Sequence, residues 1–184
     1  MNTDFLNWLV PSVIALFLGA GGGKFLIDKI WYSNLVIVGT IRRFRQNHHV
    51  WRIAISNDGK ATAYDIQVDV TNIFENRHKR ENFLSMPLRW THLDKEIRDI
   101  NADQTVFLDV FEHHINNQAK TVNLATRFGG GVDDFRELKV GSDVTALELT
   151  LYNSKRKSIK IYVDILWTSG IFLDARVRGK KWHL

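Results

Sequence analysis

The seven histidines are the residues of this chain whose chemistry most readily suggests a site. His48 and His49 are adjacent, and Glu112 is followed directly by His113 and His114. Imidazole and carboxylate groups are common zinc ligands. Adjacent residues on a β-strand point to opposite faces, however, so neither adjacent pair is expected to hold one ion by itself. We therefore predict no metal site in this chain.

A second candidate for chemistry is the loop Gly129-Gly130-Gly131, which is followed by Asp133 and Asp134. It lacks the Lys-Ser/Thr pair of a phosphate-binding loop and the glycine spacing of a dinucleotide site. No serine lies in a Gly-x-Ser-x-Gly elbow, and the absence of cysteine excludes a thiol nucleophile. The sequence therefore predicts no catalytic residue and no cofactor, and we expect the protein not to be an enzyme.

The charge distribution bears on possible partners. The chain of 184 residues has a net charge of +5, and every Lys and Arg lies at or after Lys24. A basic domain can be attracted to anionic lipid headgroups or to nucleic acid. Because the basic residues are scattered along the sequence, we favour a solvated or membrane-proximal surface and do not expect nucleic acid as a partner.

The N-terminal segment is the clearest feature of the sequence. No charged residue occurs in residues 5–23, which Asp4 and Lys24 bracket. A helix of this length spans about 28 Å, close to the thickness of the hydrocarbon core of a bilayer. A cleaved signal peptide would normally carry a basic residue before its apolar run, and none precedes Lys24. The segment is therefore predicted to be an uncleaved transmembrane helix.

Basic residues after the span predict its orientation. The positive-inside rule places the side that carries Lys24, Lys29 and the arginines after them in the cytoplasm. We expect a single-pass protein of the cell inner (plasma) membrane with a cytoplasmic C-terminal domain. The residues expected at the membrane interface, where aromatic rings and snorkelling ammonium groups are favoured, are Trp8, Lys24, Lys29, Trp31 and Tyr32.

Gly19 and Gly23 have the spacing of a small-xxx-small pair near the end of the span. Such residues allow two helices to approach closely in lipid. The alternative is that a glycine-rich run simply loosens the end of the helix. The pair is thus a candidate helix-packing site.

Residues 32–184 are predicted to form one soluble domain after an anchor and juxtamembrane segment at residues 1–31. Alternating apolar residues predict a hairpin of residues 147–151 with 159–167, around a polar tip. A second hairpin is predicted for residues 51–55 and 66–70 around Asn57-Asp58-Gly59. Further strands are expected near residues 35–45, 104–111, 121–127 and 171–178.

The pattern after the anchor contains little helix. Residues 92–100 are the one stretch for which a short helix is considered. Trp51, Trp90 and Trp167 are expected in the core. About seven strands predict a mainly β domain, an antiparallel β-sandwich with a small β-barrel as the alternative.

The stretch from Ile55 to Val68 resembles the Asn-x-Gly-x-x-x-Ala-x-[Asn/Asp]-Val-x-Val hairpin of prokaryotic immunoglobulin-like domains of the fibronectin-III or cell-adhesion-related kind. The chain has Asn57, Gly59, Ala63 and Asp65 at the motif positions, with Ile66 in place of Val. The resemblance implies an immunoglobulin-like sandwich joined to one N-terminal helix. It implies no activity.

These features together predict a membrane-anchored, non-enzymatic binding or sensing module at the cytoplasmic membrane surface. Its expected partners are membrane lipid and a protein partner or a second copy of the chain. Trp182, in a basic C-terminal segment, is a candidate partner contact. The alternative is a single-pass membrane effector that oligomerises through its helix and perturbs the bilayer.

Overall fold

The computed structural model describes residues 33–45, 48–93, 95–114, 121–126, 137–139, 144–153, 158–168 and 172–178. At several strand ends, including residues 39–45, 48–49 and 113–114, the backbone alone is described. Twelve β-strands and no helix occur within these ranges. Every pairing between the strands is antiparallel, which confirms the predicted mainly β class.

The strands form two sheets. The first sheet has five strands in the order β1-β2-β7-β8-β9. Their bounds are β1 Leu35–Arg45, β2 His48–Asn57, β7 Thr105–His114, β8 Thr121–Leu124 and β9 Glu137–Lys139.

The second sheet has seven strands. Four of them follow the order β12-β11-β10-β3, and three short strands pair with the other edge of β3. The long strands are β3 Ala63–Glu75, β10 Val144–Tyr152, β11 Ser158–Thr168 and β12 Phe172–Val177. The short ones are β4 His78–Lys79, β5 Met86–Pro87 and β6 Ile97–Ile100.

One hydrophobic core draws side chains from both sheets. Ile53 and Ile55 of β2 are fully buried there, as are Leu147 and Leu149 of β10. Alternate residues on a strand lie on one face, so the period-two apolar pattern directs these side chains into the core. Each such side chain stabilises the fold by about 1.5–3 kcal/mol when it is removed from water.

Several predictions of local structure are confirmed. Strands β10 and β11 form the predicted hairpin, in which Leu149 pairs with Ile161. Strands β1, β7, β8 and β12 occur where the sequence placed them. Trp51 and Trp90 are buried in the core, whereas the side chain of Trp167 lies outside the described part.

The predicted hairpin between residues 51–55 and 66–70 is wrong. Both segments are strands, but β2 pairs with β1 and β7, whereas β3 pairs with β10 and with β4 to β6. Residues 58–62 therefore carry the chain from the first sheet to the second. An alternating pattern shows which face of each strand is apolar, but it does not identify the strand's partner.

Asn57 holds this crossover. Its side-chain Nδ2 donates to the carbonyl oxygens of Ala61 at 2.8 Å and Ile100 at 2.9 Å. Its Oδ1 accepts from the backbone N–H groups of Asn34 at 3.0 Å and Gly59 at 3.1 Å. Because the side chain is buried and bonds segments from three parts of the chain, the Asn-x-Gly signal stabilises a junction between sheets.

The helix considered for residues 92–100 is not formed. Ile97–Ile100 is strand β6, and it pairs with β3. A helix of nine residues has little stability of its own. The edge of β3 instead supplies backbone partners, and Ile100 is fully buried against the core.

The predicted anchor lies outside the described residues. Within the described ranges, no helix long and apolar enough to cross a membrane is found. The residues predicted to pack helices, to lie at the membrane interface or to contact a partner are also outside the described part. They are Gly19 and Gly23, then Trp8, Lys24, Lys29, Trp31 and Tyr32, and finally Trp182. These assignments stay predictions.

Candidate functional site

A cluster of hydrogen-bonded polar side chains on the second sheet is built around Glu148. This residue lies in the middle of β10, where it pairs with Asn72 of β3 on one side and Tyr162 of β11 on the other. It faces away from the core, since Leu147 and Leu149 beside it point inward. Neighbouring side chains nevertheless bury it, with 4% of its surface exposed.

Four side chains donate hydrogen bonds to the Glu148 carboxylate. Asn72 Nδ2 donates to Oε1 at 2.7 Å, and Thr71 Oγ1 donates to the same oxygen at 2.9 Å. Tyr162 Oη donates to Oε2 at 2.9 Å. Lys160 Nζ lies 3.3 Å from both oxygens. A buried carboxylate with this number of donors is stabilised in its charged form.

The electrostatics of the cluster follow from these bonds. Burial raises the pKa of Glu148, but the hydrogen bonds from Asn72, Tyr162, Thr71 and Lys160 outweigh it and leave the pKa below its ordinary value. The hydrogen bond to Glu148 raises the pKa of Tyr162, and burial raises it further. At neutral pH the pair is therefore carboxylate and protonated phenol, which is a poor arrangement for transferring protons.

An ion pair between Asp164 of β11 and Arg178, directly after β12, borders the cluster. Arg178 Nε lies 3.1 Å and 3.2 Å from the two oxygens of Asp164. The Arg178 guanidinium also lies over the Tyr162 ring, 5.5 Å from its centroid. The hydrogen bond to Asp164 raises the pKa of Arg178. The guanidinium is thus a fixed positive charge at the border of the polar cluster.

A row of three side chains, two of them exposed and the middle one half-buried, crosses the same sheet on β10, β3 and β6. Gln67 of β3 pairs with Tyr152 of β10 on one side and with Ile97 of β6 on the other. Tyr152 is 36% exposed and Ile97 is 49% exposed. Gln67 is fixed by a hydrogen bond of 2.8 Å from its Nε2 to Asp69 Oδ1. The row therefore presents apolar and aromatic surface on an ordered backbone.

The first sheet has its own buried carboxylate, Asp109 of β7. Its Oδ1 accepts from Arg52 Nε at 2.7 Å and from Thr91 Oγ1 at 2.6 Å. Asp109 pairs with Arg52 across the sheet, on the face opposite the inward-pointing Ile53. Further along β7, Oε2 of Glu112 lies 3.2 Å from Arg89 Nη2. The carboxylates of Asp109 and Glu112 thus each have partners within the chain, as expected of polar groups that stabilise a sheet.

Apart from Glu112, which precedes the pair His113 and His114, none of the residues in these clusters was singled out from the sequence. Glu148 alternates with leucines, so its strand pattern suggested an ordinary solvent-facing residue. Asp109 had a stronger signal, because it interrupts the apolar run Val106–Phe111. Among the side chains that the structure describes, no group of three or more potential ligands could hold a metal ion.

Comparisons with known proteins give no relative on which to base a function. No protein-family model, no curated protein and no solved structure matches this chain.

Proposed function

We propose that this chain is a membrane-anchored, non-enzymatic binding or sensing module that acts at the cytoplasmic membrane surface. The anchor is the uncharged segment 5–23, and the basic residues that follow it orient the domain. The finer form of the proposal is that the two sheets build an immunoglobulin-like β-sandwich.

The row formed by Tyr152, Gln67 and Ile97 is the observation that carries the proposal of binding. Exposed aromatic and aliphatic side chains beside polar groups are typical of protein interaction surfaces. Tyrosine in particular is enriched among residues that dominate binding energy. By contrast, the buried carboxylates Glu148 and Asp109 are held by donors of the chain itself, which supports a structural role for them. The expected occupant of the row is a protein partner or a second copy of the chain.

Photocrosslinking in membranes tests this proposal. A photoreactive phenylalanine analogue in place of Tyr152 should give a discrete crosslinked species in membranes that contain the full chain. The same analogue in place of Leu84 is the matched control, because Leu84 is an exposed apolar residue between β4 and β5. An Ile97→Asp change in the crosslinking chain should weaken the band. Equal bands from the two positions, or none from position 152, would contradict the proposal.

The alternative proposal is a membrane effector whose helices assemble and perturb the bilayer. Its support is the pair Gly19 and Gly23 in the glycine-rich end of the span. Replacing both residues with Leu should abolish assembly of the chain in membranes and any toxicity on overexpression. Unchanged assembly and toxicity would rule out this alternative and leave the binding module.

A further inference from the structure

The chain enters the β domain at one end of the first sheet. Asn34 directly precedes β1, and its backbone N–H donates to Oδ1 of Asn57 at 3.0 Å. The carbonyl oxygen of Asn34 accepts from the backbone N–H of Asp58 at 2.9 Å. Asn57 ends β2, and the crossover that follows leads to β3, which begins at Ala63. The start of β3 therefore lies at the end of the domain where the chain arrives from the predicted anchor.

The row of Tyr152, Gln67 and Ile97 lies near this entry end. Gln67 is the fifth residue of β3, so it lies within about 13 Å of the start of the strand. Tyr152 of β10 and Ile97 of β6 are its register partners on either side, and directly opposite residues share a face. The row thus crosses the strands at one distance from the entry end.

The pattern of the row is symmetric about its centre. Tyr152 at one end is 36% exposed, Ile97 at the other is 49% exposed, and the Gln67 amide lies between them. A two-fold axis that runs along the strands past Gln67 would place Tyr152 of one copy against Ile97 of the other. The two amides would meet at the axis, where each can donate to and accept from the other. Such an interface is isologous, because the same patch serves both copies.

Attachment to one membrane favours an axis of this kind. Two copies with the same anchor enter their domains from the same side, so a two-fold axis that relates them must be normal to the membrane. Equivalent residues then lie at the same height above the bilayer. Because the whole row lies at one distance from the entry end, the rows of two copies can meet along their length. The shared membrane also raises the effective concentration of one copy near another.

We propose that two copies of this chain associate through the row of Tyr152, Gln67 and Ile97, about a two-fold axis that is normal to the membrane and passes beside Gln67. The inference rests on the proposed membrane-anchored binding function and names its partner as a second copy of the chain.

One charged group lies beside the proposed axis. Asp69 is half-buried, two residues beyond Gln67 on the same face of β3. Its carboxylate accepts from Gln67 Nε2 at 2.8 Å and from Ser85 Oγ at 3.3 Å. In the dimer the two Asp69 carboxylates approach each other, and like charges that face each other across an interface oppose association. Asp69→Asn, which keeps an oxygen as acceptor for Gln67, should therefore strengthen the dimer.

Cysteine crosslinking of full chains in membranes tests this arrangement. The chain has no cysteine, so each introduced thiol reports one position. With a short bismaleimide, Gln67→Cys should give a homodimer. Chains with Tyr152→Cys and Ile97→Cys, co-expressed under different tags, should crosslink to each other more strongly than either does to itself. Leu84→Cys is the matched control and should give no dimer, since Leu84 is 66% exposed between β4 and β5, outside the row.

The strength of the contact is measured by energy transfer between fluorescently tagged full chains in detergent micelles. Ile97→Asp should raise the dissociation constant of the dimer at least about tenfold, the effect of losing a residue that dominates an interface. Asp69→Asn should lower it. The double variant Gly19→Leu/Gly23→Leu should leave the crosslink of Gln67→Cys unchanged, because the proposed contact belongs to the β domain.

Failure of this inference is distinguishable from failure of the proposed function. Capture of a different protein by the photoreactive analogue at position 152, with no homodimer from Gln67→Cys, would overturn the second copy and leave the binding function. Capture of no protein at position 152 would overturn both.

Three further results would overturn the dimer alone. The first is a Gln67→Cys homodimer no stronger than that of Leu84→Cys. The second is a dissociation constant that Ile97→Asp leaves unchanged or that Asp69→Asn raises. The third is loss of the Gln67→Cys homodimer in the Gly19→Leu/Gly23→Leu chain, which would assign the association to the helix.

Discussion

Asp109 and Glu148 are two buried carboxylates that the fold stabilises in different ways. Asp109 lies against a cation that is itself nearly buried, since the Arg52 side chain is 14% exposed. Glu148 is held by neutral donors from two strands, β3 and β11, and the cation beside it, Lys160, has a side chain that is 60% exposed. A buried carboxylate is thus stabilised mainly by a nearly buried cation in the first sheet, and mainly by uncharged hydrogen-bond donors in the second sheet.

This difference determines which buried groups lose their partner when either carboxylate is removed by substitution. Loss of Asp109 would remove the carboxylate that lies 2.7 Å from Nε of the nearly buried Arg52, a charge that is costly to hold in a low-dielectric environment. Loss of Glu148 would leave amide and hydroxyl groups, which water or neighbouring acceptors can satisfy more easily. The two sites should therefore respond differently to equivalent changes.

The largest decrease in the free energy of unfolding is expected for Asp109→Ala. Breaking a buried ion pair by removing one partner costs about 3–5 kcal/mol. Urea denaturation of the full chain in micelles, followed by the fluorescence of the buried Trp51 and Trp90, measures the change. The double variant Arg52→Leu/Asp109→Leu should recover much of the loss, because it removes the nearly buried cation together with the buried anion. A loss below about 1 kcal/mol for Asp109→Ala would contradict the role assigned to the pair.

Glu148→Ala should have a smaller effect, about 1–3 kcal/mol, which is the cost of leaving buried donors without their acceptor. Glu148→Gln should cost less, since its side-chain oxygen can still accept from Asn72 or Tyr162. The control Glu81→Ala removes an exposed carboxylate in the turn before β5 and should be nearly neutral. A loss for Glu148→Ala that equals that of Asp109→Ala would remove the contrast between the two sites.

Acid should weaken the Glu148 site in a predictable direction. Its folded-state pKa lies below the ordinary value of 4.5. The carboxylate therefore contributes stability that is fully present above about pH 4.5 and is lost as pH falls through the folded-state pKa. Between pH 6 and pH 3, the free energy of unfolding should fall more steeply for the wild-type chain than for Glu148→Gln. Parallel curves would show that protonation of Glu148 does not contribute.

Of these substitutions, Lys160→Met should change the free energy of unfolding least. Because the ammonium group is largely in solvent, its interaction with Glu148 should contribute less than about 1 kcal/mol. The Met side chain keeps most of the aliphatic stem of Lys160. Denaturation curves of the wild-type chain and Lys160→Met should nearly coincide. A larger loss would mean that Glu148 depends on its cation as Asp109 does on Arg52.

The sequence predicted strand positions well because alternation is a local signal. Leu147, Leu149 and Ile161 are buried where the pattern placed them. The pairing of β2 with β3 was predicted wrongly, because the sequence Asn57-Asp58-Gly59 is also typical of a tight hairpin turn. Its actual role depends on Ile100 and Asn34, which are distant in the sequence.

The functional groups were harder to predict for the same reason. The polar partners of Glu148 come from β3 and β11, which are separated by about 90 residues. The histidines illustrate the limit more sharply. The register places His48 opposite His114 and His49 opposite His113, although the two pairs are about 65 residues apart in the sequence.

We propose that this β domain acts from the cytoplasmic side of a membrane, with residues 5–23 as its anchor. The chain has no cysteine, so single cysteines can report topology without background. Asn2→Cys tests the predicted outer terminus, and Lys60→Cys tests the domain, since Lys60 is exposed in the crossover after β2.

The most direct measurement is labelling of these two variants in intact bacterial cells with a membrane-impermeant maleimide. Asn2→Cys should be labelled in intact cells, and Lys60→Cys should be labelled only after the inner membrane is permeabilised. Both variants should resist extraction from membranes by alkaline carbonate. Release of the chain by carbonate, or labelling of Lys60→Cys in intact cells, would contradict the account.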